Sequence, residues 1–196
     1  MKINKVNTAI KIGNFQLDNS HDRNHIKVEY DKKIKQSILK DKKGRVYLFT
    51  SNDEIFKIGG SASKGGIKTT LSFYTTSMTG SPGKPRYIIH KLIRDELKKG
   101  NQCEIWMITS PLASSKVSGL YKEKELEIAA YKEMEDYCKQ DYLSSEKKYP
   151  IWNFQENNEP YPDNYSEDHV SYHKMRLKEK KLRQKQSTNK RTKNKN

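Results

Sequence analysis

The sequence predicts an α+β fold, a small antiparallel three-stranded sheet flanked by helices. Three observations predict it. Arg45 to Thr50 and Ile55 to Gly59 are β-branched and aromatic runs joined by the turn residues Ser51-Asn52-Asp53-Glu54, a hairpin signature. Tyr87 to Lys99 carries Ile89, Leu92, Ile93 and Leu97 along one helical stripe and stops at Gly100. Cys103 to Thr109 is a third strand-like run.

The connecting elements follow from local chemistry. Gly59-Gly60 ends the second strand, and Ser61 to Gly66 is loop. Ile67 to Met78 reads as a threonine-rich helix with Ile67, Leu71 and Tyr74 on one face. Thr79 to Lys84 breaks the chain, and Pro85 suits the first turn of the next helix. Lys122 to about Tyr142 is predicted as a third helix, with Glu127, Tyr131, Glu135 and Cys138 on one face. The order is strand, strand, helix, helix, strand, helix. Residues 1–43 are polar and Lys-rich, an N-terminal arm in reach of nucleic acid, although Ile26 to Tyr30 alternates like a short strand. Residues 44–156 form the domain. Residues 157–196 are a polar, then basic, tail.

At 196 residues, 33% of them hydrophobic, the chain holds one ordinary domain with a small core and much surface. No apolar run approaches the ~18 residues of a membrane span. The first residues lack the apolar stretch of a secretory signal, so an intracellular location is expected. Cys103 and Cys138 form no CxxC pair and read as reduced thiols. His169 and His173 fall one helical turn apart, with no further ligand cluster beside them. The net charge is +15. From Lys174 onward eleven Lys and Arg face Glu179 alone, which accounts for +10 of it. Such a chain attracts polyanions by counterion release.

Arg45-Val46-Tyr47 and Lys57-Ile58-Gly59, about ten residues apart, resemble the two short motifs of the GIY-YIG endonuclease family. The resemblance covers roughly residues 45–155 and closes on Pro150-Ile151-Trp152-Asn153. It is looser to the restriction and phage branch, in which a Gly-Gly-Ile-Lys loop follows the second strand. It implies a metal-dependent endonuclease hydrolysing DNA, site-specific, of restriction, phage or mobile-element type, with RNA left open as substrate. The cofactor implied is Mg²⁺ or Mn²⁺. The implied site is Tyr47, Lys57, Lys68, Tyr74, Glu135 and Asn153, with Glu135 as the metal ligand. The chain departs from the family's pattern. Arg45, Val46 and Lys57 replace Gly, Ile and Tyr of the motifs, and Lys68 stands six residues before Tyr74 where the family has an Arg four before.

The residue types suit that chemistry. A phenol such as Tyr47, its pKa lowered by nearby cations, can take a proton from water. A lysine such as Lys57 can be neutral and serve as base, on Tyr47's face or not according to the turn length. Lys64 and Lys68 flank Gly65-Gly66, whose backbone can approach a phosphate. One carboxylate with waters and phosphate oxygens suits Mg²⁺, and Glu127 and Glu133 compete with Glu135 for that place. Asn153 orders the site by hydrogen bonds. Arg86, His90 and Arg94 make a basic stripe suited to the nucleic-acid backbone. The eroded motifs leave a second class open, a non-catalytic basic nucleic-acid-binding module on the same fold.

Overall fold

A computed structural model describes residues 1–20, 25–80 and 82–193. β3 (Arg45–Ser51) and β4 (Glu54–Ser61) pair antiparallel, turning through Asn52 and Asp53 at positive φ. Asn and Asp tolerate that conformation, which matches the twist of the flanking strands. β5 (Cys103–Thr109) pairs with β3 on the other side. These are the three expected strands.

The sheet is wider than expected: it has five strands rather than three. β1 (Ile10–Leu17) pairs with β5 and β2 (Ile26–Tyr30) with β1, so the order is β2-β1-β5-β3-β4, antiparallel throughout. Residues 10–30, which the sequence places in the N-terminal arm, supply two of the five. A register shift between Lys11 and Gly13 explains why β1 is hard to read. It brings Ile12 and Phe15, three residues apart, into the core together and hides the period of two.

Helices cover both faces. After the single turn of α1 (Gln36–Leu39), α2 (Gly66–Thr75) and α3 (Lys84–Lys98) bury Ile67, Leu71, Ile88 and Ile93 against Phe15, Phe49, Ile105 and Met107. The opposite face, Val46, Leu48 and Ile58, packs on Tyr142 of the helix that follows residue 130. Residues 122–130 are not part of that helix. β6 (Ala113–Ser118) and β7 (Glu123–Ile128) form a separate two-stranded hairpin, and α4 begins only at Tyr131 (Tyr131–Glu146). Pairing sets Lys116 opposite Glu125, a cross-strand charge match.

The tail is also ordered where described. α5 (Asp163–Lys193) docks on α3 through Tyr165, which donates to Asp95 at 2.6 Å, and through buried Tyr172 against Tyr87. The last three residues of the basic tail lie outside the described residues. No helix among those described is long and apolar enough to cross a membrane.

Candidate active site

Tyr47 lies on β3 between two neighbouring strands, with Gly59 of β4 directly opposite. A Cβ at Gly59 would overlap the Tyr47 ring, so the glycine of the second motif makes room for the tyrosine of the first. The Tyr47 hydroxyl meets that of Tyr74 on α2 at 2.7 Å. Both phenols line a cleft of about 470 Å³. Gly60, Ser61, Ser63, Phe73 and Tyr131 line it too, and Arg86 overhangs it with its guanidinium 4.1 Å from the Phe73 ring.

The second half of the site stands at the free edge of β4. Glu135 of α4 lies against Gly60, where a Cβ would overlap its Oε2. Lys139 bridges Glu135 at 2.7 Å and Glu156 at 2.5 Å. Asn153 is buried and closes the edge. Its Oδ1 accepts from Ile58 N–H at 2.9 Å, and its Nδ2 donates to Ile58 C=O at 3.0 Å and to Glu156 at 3.1 Å. Trp152 N–H donates to Phe56 C=O at 2.8 Å. The Pro150–Asn153 segment thus satisfies backbone groups that an edge strand leaves open. Lys57 faces Phe49 across the strands, one pair beyond Tyr47 and Gly59 along the odd-numbered run.

Other sequence candidates lie elsewhere. Lys68 turns away from Tyr47. Its Nζ bonds Gln36 at 2.7 Å and sits 5.0 Å from the Tyr30 ring, in a separate depression beside β2. Thr70 holds the position four before Tyr74, and its hydroxyl bonds Ser61 at 2.6 Å. His90 is fully buried and no surface contact: its Nδ1–H donates to Tyr74 C=O at 2.7 Å. Arg94 is partly buried and electrostatically coupled to His90 and His25 rather than lining the cleft. Lys64 is exposed on the turn before α2, next to cleft-lining Ser63. Glu127 is exposed on β7 and Glu133 exposed on α4, so of the three carboxylates Glu135 is the one that meets β4. Sequence reasoning missed Lys139 and Glu156. The spacing of four between Glu135 and Lys139 on a helix is the signal that pairs them.

No protein-family model matches the chain, and no curated protein matches it. Solved structures similar to it include the following two. One is restriction endonuclease HPY188I in complex with product DNA, 16% identical, covering 77% of this chain and 84% of that one at a TM-score of 0.47. The other is a mutant of bacteriophage T4 EndoII, 16% identical, covering 78% and 98% at a TM-score of 0.49.

Electrostatics correct one expectation. Cations do not lower Tyr47. Burial pushes its phenol well above 10, the Tyr74 phenol and Glu135 push the same way, and Arg86 only opposes them. Tyr74 is raised too, chiefly by burial. Both are therefore neutral hydroxyls at physiological pH. Lys57 moves downward, first through burial and further through Lys139, against Glu156 and Glu135. Burial pushes the Glu156 carboxyl up, but hydrogen bonds from Lys139, its own backbone and Asn153 outweigh it and leave the group below its ordinary value.

Among the described residues no cluster of three or more His, Cys, Asp or Glu could hold a metal ion. The donor set here is one carboxylate, Glu135, with Oε1 on Lys139 and Oε2 beside Gly60. That fits Mg²⁺, which keeps several waters and takes one or two carboxylates with phosphate oxygens.

Proposed function

We propose that the chain is a metal-dependent endonuclease that hydrolyses DNA phosphodiester bonds in the Tyr47–Tyr74 cleft. The observation that carries this is the phenol pair at 2.7 Å, in a cleft overhung by Arg86 and flanked by Glu135. Arg86, rather than Lys68, supplies the cation that meets the non-bridging oxygens. A planar guanidinium suits a phosphate, and it gains strength as charge builds in the transition state. The neutral phenols donate hydrogen bonds and hold the attacking water. Water oxygen bonds to phosphorus, the ester oxygen leaves, and the water's proton passes to Lys57, whose charged form burial disfavours. A divalent ion on Glu135 would add positive charge beside the phosphate and the leaving oxygen. The basic tail adds affinity that does not depend on sequence.

Thr70 in the place of the family's arginine favours the rival reading, a nucleic-acid-binding module without catalysis. A nicking assay on supercoiled plasmid with Mg²⁺ or Mn²⁺ separates the two. The endonuclease reading expects metal-dependent nicking that Glu135→Ala abolishes while gel-shift binding persists. Tyr47→Phe should slow nicking by roughly 10²–10³, the scale of losing one preorganised hydrogen-bond donor. Tight binding with an intact plasmid would support the module, and the same assay on RNA decides the nucleic acid.

A further inference from the structure

We infer that His169, His173 and the Pro82 carbonyl form a binding site for a zinc-class divalent cation, separate from the Tyr47 cleft. The three donor atoms face one another. His169 Nε2 and His173 Nε2 are 3.0 Å apart, and the Pro82 oxygen is 3.1 Å from the first and 3.3 Å from the second. Hydrogen bonding satisfies this triangle only in part. The carbonyl carries no proton. If one imidazole carries the Nε2 proton, the other imidazole and the carbonyl must share it; if both do, two protons crowd onto one carbonyl oxygen. A single cation satisfies all three. Donors held about 2.0–2.1 Å from one ion at about 90–110° lie roughly 2.8–3.4 Å apart, the spacing seen here.

The surroundings hold this geometry in place. The histidines sit one turn apart on α5, the helical spacing of paired zinc-binding histidines. The His169 ring packs on Tyr87 at 5.2 Å. The carbonyls of the loop turn toward α5: Arg176 donates to Thr79 C=O at 3.0 Å and Tyr172 to Gly80 C=O at 2.8 Å. Both histidines are partly exposed, which leaves room for water to complete the coordination. Imidazole nitrogens select Zn²⁺, Ni²⁺ or Cu²⁺ over Mg²⁺, which prefers oxygen. The bound ion would fasten α5 to the loop between α2 and α3, the helices that carry Tyr74 and Arg86.

The test is calorimetric titration of the tag-free full chain with zinc chloride in excess Mg²⁺, together with zinc-edge X-ray absorption on the loaded protein. One equivalent of zinc should bind, with two imidazoles in its first shell. His169→Gln or His173→Gln should weaken binding at least tenfold, and Glu135→Ala should leave it unchanged. Absence of zinc binding by the wild type, full binding in the His169→Gln/His173→Gln double variant, or an absorption spectrum without imidazole would overturn the proposal. The absorption measurement needs no variant, so a folding defect in either substitution does not blunt it.

Discussion

Two antiparallel hairpins of the chain, β3–β4 and β6–β7, differ in almost everything except their hydrogen-bond ladders. Every residue of β3 is buried, with helices packed on both faces and β4's edge closed by Asn153. Every strand residue of β6 and β7 is exposed, and Leu120 and Tyr121 at the tip are 94% and 97% exposed. An isolated two-stranded hairpin is marginal in water. The first hairpin can therefore hold a phenol at a fixed place in a cleft. The second is held by its backbone pairing and by side-chain contacts such as Ser114, whose hydroxyl donates to Glu125 at 2.6 Å. Burial supplies the rigidity that a site needs, and strand pairing alone does not.

Substitutions can break or sharpen this contrast. The largest loss should come from Phe49→Ala, because Phe49 packs edge-on against Phe15 and Tyr74 at 5.0 and 5.2 Å. Urea unfolding should show about 3–5 kcal/mol less stability. Asn153→Ala strands the buried N–H and C=O of Ile58 and should cost roughly 2–4 kcal/mol by the same measurement. Loss below about 0.5 kcal/mol would mean that water closes the β4 edge equally well.

The helical layer over the first hairpin should respond to acid. His90 is neutral in the fold, its pKa lowered to about 4 chiefly by burial. Between pH 6.5 and about 4 the unfolded chain binds the extra proton, so stability falls as pH falls through that window. The loss should total roughly 3 kcal/mol, and His90→Gln should flatten the slope. A slope unchanged in that variant would assign acid sensitivity to other groups. The smallest effect belongs to the second hairpin: Leu120→Ser with Tyr121→Ser should stay within about ±0.5 kcal/mol.

The same contrast explains what could be read from the sequence. Arg45 to Thr50 and Ile55 to Gly59 are β-branched and aromatic runs that turn at Asn52-Asp53, so the strands and turn of the first hairpin were legible, while the register that sets Lys57 opposite Phe49 was not. Glu123 to Ile128 is built of Glu, Lys and Leu, good helix formers, and its strand state depends on Ala113–Ser118 opposite. The β1 bulge concealed a central strand. The stripe Tyr165, His169, Tyr172 and Arg176, at helical spacing, was the available sign of α5. In the site, the meeting of Tyr47 with Gly59 follows from strand register, and Tyr74 reaches them from the expected helix. The direction of Lys68 was not legible. It depends on Tyr30 and Gln36, which local spacing does not connect to α2.

The most direct test of the cleft as the cutting site compares Arg86→Ala with Lys68→Ala in Mg²⁺-dependent plasmid nicking. Arg86 lines the cleft and Lys68 does not. Arg86→Ala should lower the rate by roughly 10²–10³, the scale of losing one preorganised charge-stabilising group, while Lys68→Ala should stay within about threefold of the wild type. Nicking at the wild-type rate by Arg86→Ala, with activity lost in Lys68→Ala, would contradict the account and move the reacting phosphate to the depression beside β2.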